Sequence, residues 1–338
     1  MNFKKRILLT GAGFTKNFGG FLAAEMWTHI FNNPKVQKNE VLRNRLMYDY
    51  DYERVYESMI EQTCVTSSDE DTRKKGCKIL DDAISNAYFK LDEIIRKWVY
   101  RNDAPHPVNH YGLDAFLDKF AGNEKTGKGF IFTLNQDLFF ERKYINGQRF
   151  IYPRVKYRYQ LNDSIKRDSP LPNKMYITIS SQEISNEERE KELKTGNAFY
   201  IKLHGSFNWR NSDQQQLIIT GQSKTRKIKT VGLLNWYWDI LREVLNQGDV
   251  KLLIIGYGFR DIHLNKLIEQ AIFEKNLRIY IISPDDISSV RSIAKQYQFK
   301  RALEKGLSGY FQSDLLGLFP SDQSKTQLLQ DIESYFFK

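Results

Sequence analysis

Four short stretches of the 338-residue chain place small and polar side chains just after predicted apolar strands. They are TGAGFT (10–15), TLNQD (133–137), LHGSFNW (203–209) and GYGFRD (256–261). In an open α/β sheet, the carboxyl ends of the strands line the crevice that binds ligands. We therefore expect these four stretches to meet at one site, although they are far apart in the sequence.

The glycine pairs Gly11/Gly13 and Gly256/Gly258 favour turns that a ligand approaches closely. Glycine permits a positive φ and close backbone approach, and a helix N-terminus offers N–H groups to a phosphate. The first loop lacks the third glycine of the dinucleotide fingerprint, because Lys16 occupies that position, and no G-K-[ST] follows it. Two such loops at one edge predict an extended ligand with two phosphates, whereas plain tight turns are the alternative interpretation.

Two polar residues in these stretches suit proton transfer and substrate positioning. The Asn135 side chain both donates and accepts hydrogen bonds, so it suits the positioning of a hydroxyl or a water molecule. Of the five histidines, His204 has the most site-like context, and an imidazole suits general-base catalysis near neutral pH. The alternatives are a structural role for His204 and helix capping for Asp137 and Asp261.

The composition limits the class of protein. The chain is 41% hydrophobic, which excludes a disordered chain. It has no apolar run of the roughly 18–20 residues that a membrane span needs, so we expect a soluble, cytoplasmic protein. Its two cysteines, Cys64 and Cys77, exclude a disulfide scaffold and a four-cysteine zinc site.

A net charge of +10 favours anionic partners such as nucleotides or nucleic acid. Residues 152–160 alternate basic and aromatic side chains, as single-strand binders do, and residues 223–230 form a basic run. For these two segments we favour the alternative interpretations, a half-exposed β-ribbon and a solvated face, respectively. Direct nucleic-acid binding is therefore only weakly supported.

Apolar runs that predict strands alternate with segments that predict helices. The predicted strands are 6–10, 129–137, 198–205, 216–220, 251–258 and 277–283, and the predicted helices are 21–31, 231–247, 261–275 and 286–305. Several runs are apolar without interruption, as expected for strands buried on both faces of a parallel sheet. This alternation predicts an α/β fold with a doubly wound, mainly parallel, Rossmann-like sheet.

Two segments interrupt this alternation. Residues 36–112 lack strand signals and predict a helical insertion, since apolar residues recur there every three or four positions. Residues 141–197 are polar and contain prolines, which predicts a second insertion of strand and loop. The catalytic domain would then consist of residues 1–35 and 113–338.

The set GAGFT, TLNQD, KLHGS, GYGFRD and YIISPDD, in this order, resembles the sirtuin family. The resemblance implies an NAD site and three catalytic residues: His204 as general base, with Asn135 and Asp137. The NAD-binding residues implied in the same way are Gly11, Ala12, Gly13, Phe14, Thr133, Asn135, Gly256, Tyr257, Gly258, Asp261 and Ser283.

Departures from the family pattern refine this expectation. Sirtuin deacylases carry a four-cysteine zinc module after the H-G pair, whereas no cysteine follows Cys77 here, so no metal is expected. KNFGG (16–20) replaces another deacylase element, and we predict that residues 15–20 form a flexible flap over the nicotinamide side.

With these departures, the chain resembles the bacterial sirtuin-like proteins of antiphage defence. That resemblance implies hydrolysis of NAD to nicotinamide and ADP-ribose, a homo-oligomer, and a partner subunit such as an ATPase or a nucleic-acid sensor. One alternative is an NAD-dependent protein deacylase or ADP-ribosyltransferase. The other is a non-catalytic NAD or ADP-ribose sensor, or a nucleic-acid-binding subunit.

Overall fold

A six-stranded sheet forms the centre of the computed structural model, which describes residues 2–61, 67–99, 106–144, 149–155, 177–194, 196–212 and 228–338. The strands are β1 (Arg6–Thr10), β2 (Gly129–Thr133), β3 (Ile177–Thr178), β4 (Ala198–Lys202), β5 (Trp209–Arg210), β6 (Lys251–Ile255), β7 (Arg278–Ser283) and β8 (Leu307–Gln312). The central sheet has the order β4-β2-β1-β6-β7-β8, and every neighbouring pair is parallel. β3 and β5 pair separately.

The central strands form because their apolar runs are buried on both faces of the sheet. Leu8 of β1 pairs with Ile131 of β2 and with Leu253 of β6, and all three side chains are almost fully buried. When the six strands of this sheet are renumbered 1 to 6 in chain order, their order across the sheet is 3-2-1-4-5-6. This is the strand order of dinucleotide-binding α/β sheets. The predicted fold class is therefore confirmed, and the strand order reverses between β1 and β6.

Helices cover both faces of this sheet, as expected for a doubly wound fold. They are α1 (Ala12–Lys16), α2 (Ala23–Phe31), α3 (Pro34–Gln37), α4 (Glu40–Tyr48), α5 (Tyr52–Glu61), α6 (Ser67–Val99), α7 (His110–Asp118), α8 (Phe139–Lys143), α9 (Asn186–Lys194), α10 (Gly232–Leu245), α11 (Ile262–Lys275), α12 (Ile287–Gln296), α13 (Lys300–Gly306), α14 (Leu315–Leu318) and α15 (Gln327–Ile332), followed by a π-helical turn (Glu333–Phe337). Within the described ranges, no helix is long and apolar enough to span a bilayer.

Helix α6, with 33 residues, organises the helical segment between β1 and β2. Its buried side chains Leu80, Ile84, Leu91 and Ile95 recur at helical spacing, and the helix packs against α2, α3, α5 and α8. The described part of 36–112 is thus built from helices. The predicted limits of this insertion, and of a catalytic domain at 1–35 and 113–338, stay predictions.

The structure differs from the sequence-based elements at the edge strand β8 and within the predicted helix 286–305. The edge strand β8 was not predicted, because its side chains are mostly exposed or half-buried and form no apolar run. The predicted helix 286–305 is divided into α12 and α13 at Gln298, which has a φ of 57°. The predicted strand 216–220 lies outside the described residues, as do residues 156–160 and 223–227 of the two basic segments.

Candidate functional site

The loops after β1 and β6 are interlocked backbone to backbone where the strand order reverses. The N–H of Gly11 donates to the carbonyl of Ile255, and the N–H of Gly13 donates to that of Gly256, both at 3.0 Å. A Cβ on Gly11 would lie 2.6 Å from the Gly256 oxygen, and one on Gly13 would lie 2.7 Å from the Gly256 Cα. Glycine is thus required by contact between the loops, and a phosphate would have to use groups other than these two N–H groups.

Gly256 and Gly258 differ sharply in their surroundings. Gly256 has a φ of +68°, and a Cβ there would lie 2.2 Å from the backbone nitrogen of Phe14. At Gly258, no heavy atom lies within 4 Å of such a Cβ, so this glycine faces open space beside the interlocked loops. Among the predicted NAD-contacting glycines, Gly258 has the room that an approaching ligand needs.

We expect Gly256→Ala to lower the free energy of unfolding by about 2–4 kcal/mol, through the left-handed backbone and the backbone overlap at Phe14. Gly258→Ala is the matched control in the same loop and should change stability by less than about 0.5 kcal/mol. Urea unfolding monitored by circular dichroism measures both. Equal stability of the two variants would contradict the interlock.

Asn135 lies just beyond β2, and its side chain is oriented by groups from β1 and the loop after it. Its Nδ2 donates to the Gly11 carbonyl at 3.0 Å and to Thr15 Oγ1 at 3.3 Å. Its backbone N–H donates to Thr133 Oγ1, which also accepts a 2.9 Å hydrogen bond from Thr10. The amide is therefore held in one orientation at the carboxyl end of the sheet.

Asp137 stabilises the loop that follows β2. Its carboxylate accepts from the N–H of Phe139 at the start of α8 and hydrogen-bonds the Thr15 side chain. Burial raises the pKa of Asp137, while nearby Lys202 opposes that shift. The N-cap of α8 is Leu138, so Asp137 contacts the start of this helix but is not its capping residue, which was the alternative role suggested by the sequence.

A buried ion pair that the sequence reasoning missed lies beneath the site. Lys202 Nζ is 2.8 Å from Glu141 Oε1, and it also donates to the carbonyl of Asp137. The two side chains are at most 2% exposed. Lys202 is the lysine of KLHGS, two residues before His204, so its place in the motif was the available signal.

His204 lies directly beyond β4 and faces a carboxylate from the loop after β6. Its Nε2 is 2.9 Å from Asp261 Oδ2, although the ring N–H is not aligned for a hydrogen bond, and both side chains are over nine-tenths buried. Neighbouring strands are about 4.8 Å apart, so the ends of β4 and β6 are separated by roughly 14 Å. The two loops therefore reach across the ends of β2 and β1 to meet.

The remaining predicted residues lie in surroundings that explain them structurally. The Tyr257 hydroxyl accepts from the N–H of Asp261 and donates to Asn265 Oδ1, and burial raises the pKa of this tyrosine well above its usual value. Phe14 is fully buried, and Ala12 accepts from Thr15 Oγ1 within α1. Ser283 ends β7, one strand beyond β6, where it neighbours Asp285.

The segment 15–20 is anchored in this structure instead of forming a loose flap. The fully buried Phe18 ring stacks on Phe139 at 4.1 Å and meets Trp98 edge-on at 4.6 Å between ring centroids. Asn17 Oδ1 accepts from the N–H of Leu315 at 3.1 Å. An aromatic residue buried in this way ties the segment to the core.

Helix α6 touches the loops that follow three of the site's strands. Tyr88 stacks on Phe207 beyond β4, and Trp98 contacts Phe18 beyond β1. Between them, Asp92 pairs with Arg142 of α8, with 2.6 Å between Arg142 Nε and Asp92 Oδ1 and side chains at most 4% exposed. The helical segment therefore forms a cover over one side of the site.

Among the described residues, no cluster of three or more histidine, cysteine, aspartate or glutamate side chains could hold a metal ion. Cys77 is half-buried and is not part of a disulfide bond, and Cys64 lies outside the described residues.

Comparison with known protein families gives a match to a described family. Residues 129–304 match the family model described as the SIR2-like domain, which covers just over half of the chain. The match begins at β2 and includes Asn135, His204 and Asp261, whereas the glycine loop after β1 precedes it. A search of curated proteins found no significant match.

Proposed function

The chain belongs to the SIR2-like family, whose members use NAD, and from this premise we propose that it hydrolyses NAD at the nicotinamide–ribose bond. The observation that carries the proposal is the relation between Asn135 and His204. In the pairing of β2 with β4, Thr133 lies opposite Lys202. Asn135 comes two residues after Thr133, and His204 comes two residues after Lys202. Asn135 and His204 therefore occupy matching positions just beyond neighbouring strand ends.

In the proposed reaction, the bond between ribose C1′ and the nicotinamide nitrogen breaks, and its electron pair stays on the nitrogen. The oxygen of a water molecule bonds to C1′, and His204 accepts a proton from that water. Positive charge develops on the ribose in the transition state, as in other glycoside cleavages. The leaving group is a neutral pyridine, so no general acid is required.

The other residues of the site would position substrate and loops. Asn135, held by Gly11 and Thr15, would orient a ribose hydroxyl or the attacking water. Gly258 has open space for a close approach of the dinucleotide. Asp137 holds the β2 loop, and Ser283, one strand beyond β6, suits the adenosine end.

Hydrolysis is favoured over deacylation by the sequence between His204 and Gly256. Sirtuin deacylases carry their four-cysteine zinc module there, and this chain has no cysteine beyond Cys77. We find no counterpart of the segment that pairs with an acylated peptide. Water is then the simplest acceptor for the ADP-ribosyl group.

The deciding experiment follows NAD and its products with purified protein, in the presence and absence of an acyl-lysine peptide. We expect nicotinamide and ADP-ribose in equal amounts, formed at the same rate without the peptide. Dependence on the peptide would establish a deacylase or a transferase. Tight NAD or ADP-ribose binding without turnover, alone or with the product of a neighbouring gene, would favour a sensor.

We further propose that NAD depletion serves antiphage defence, with control by self-association or by a partner such as an ATPase or a nucleic-acid sensor. The support for this role is the resemblance of LIITGQSKTRKI and IIGYGFRDIHLNKLI to that branch of the family. Only the second of these stretches lies wholly within the described residues, where it forms the end of β6, the Gly256 loop and the first part of α11.

A further inference from the structure

We propose that Asp261 is a positioning residue that holds Nε2–H of His204 toward its carboxylate, so that Nδ1 of His204 accepts the proton from water. This inference deepens the proposed function and rests on it. It goes beyond the roles expected for Asp261 from the sequence, a helix cap or a cofactor contact. The juxtaposition that carries it is the buried 2.9 Å approach of Asp261 Oδ2 to His204 Nε2.

Asp261 is held rigidly enough to orient another side chain. Its Oδ1 accepts from the N–H of Leu264 at 3.1 Å and so caps α11, which leaves Oδ2 directed to His204. Its backbone N–H donates to the Tyr257 hydroxyl, which in turn donates to Asn265. One carboxylate thus serves two partners, one oxygen to the helix and the other to the imidazole.

A second histidine, His263, lies close to Asp261 and His204. His263 contacts the Trp238 ring. Burial lowers the pKa of His263, Asp261 opposes that shift, and Arg242, His204 and Lys229 add to it. His263 therefore does not compete for the carboxylate as an imidazolium at neutral pH. Trp238 also flanks His204, with its Nε1 fixed by a 2.9 Å hydrogen bond to the Leu203 carbonyl.

The chemistry follows from the two nitrogens of imidazole. In the neutral ring, one nitrogen carries hydrogen and the other has a lone pair, and a partner on the first selects the tautomer. A carboxylate can only accept, so Asp261 selects Nε2–H and assigns the lone pair to Nδ1. The imperfect alignment of the pair is common for catalytic hydrogen bonds before substrate binds.

The variant Asp261→Asn separates this role from helix capping, because asparagine caps helices as well as aspartate does. We expect kcat for nicotinamide release to fall about 10–100-fold with a much smaller change in KM. Asparagine offers both N–H and oxygen to Nε2, so the variant should populate both tautomers of His204. A ¹⁵N–¹H correlation spectrum, with His204 assigned by its loss in His204→Gln, measures the tautomer without reference to turnover.

Asp286→Asn is the matched control, since Asp286 caps the N-terminus of α12 in the same way. It should alter neither kcat nor the His204 signals. Asp261→Ser, which keeps a capping hydroxyl, repeats the test if the asparagine variant folds poorly.

Two results would overturn the inference. One is an unchanged Nε2–H tautomer in Asp261→Asn, and the other is a rise in KM alone, which would make Asp261 a substrate contact. If wild-type protein shows the Nε2–H tautomer but never releases nicotinamide, the proposed hydrolysis fails while the orientation of His204 stands.

Discussion

Replacing His204 by alanine is expected to lower kcat for NAD hydrolysis by about 10²–10⁴-fold, the usual contribution of a general base. The variant removes the imidazole beyond β4 and leaves Asp261 in place as the N-cap of α11. Nicotinamide release, followed chromatographically at saturating NAD, measures the effect. The folded state should persist, because Asp261 keeps its capping hydrogen bond to Leu264.

His29→Ala is the control for loss of a histidine as such. His29 lies on α2, where its ring stacks on Phe21 at 4.4 Å. This variant should release nicotinamide at the wild-type rate. If His204→Ala turned over NAD at the wild-type rate under the same conditions, His204 would not be the general base, and another group would have to accept the proton.

Replacing Asp92 by alanine is expected to lower the free energy of unfolding by about 3–5 kcal/mol, because Arg142 is left as a buried charge without its carboxylate partner. Both side chains of the pair are at most 4% exposed, and the guanidinium makes a bidentate contact with the carboxylate. Chemical denaturation followed by tryptophan fluorescence and by circular dichroism measures the loss.

Two controls distinguish the buried pair from helix effects. Glu93 neighbours Asp92 on α6 and pairs with Lys97 at the surface, so Glu93→Ala should cause no measurable loss. The double variant Asp92→Leu/Arg142→Met should recover much of the stability, since apolar replacement of a whole buried pair is often neutral. Equal stability of Asp92→Ala and Glu93→Ala would contradict the structure.

The sheet was predictable because its strands are marked by uninterrupted apolar runs. Arg6–Thr10 was predicted to the residue, and the strands at 129, 198, 251 and 278 were predicted within a few residues. Burial on both faces leaves this signature in a parallel sheet. β8 was not predicted from the sequence, because an edge strand with one solvated side has no such apolar run.

The site was predictable in its location but not in its pairings. Strand-end placement brings Asn135 and His204 to one edge, and no rule of spacing says that Asp261 crosses two strand ends to reach His204. The same holds for Lys202 and Glu141, which meet only through tertiary packing. The glycine loops add a contact that their motif does not predict, because Gly11, Gly13 and Gly256 pack against one another.

The contacts of α6 bear on how the protein can be shortened. Deleting the helical segment to obtain a shorter fragment would remove Asp92, the carboxylate that pairs with Arg142. It would also expose the rings of Phe18 and Phe207 to solvent. A workable truncation would have to redesign these three positions together. For protein engineering, the helical segment is therefore an integral part of the folded chain and not a detachable module.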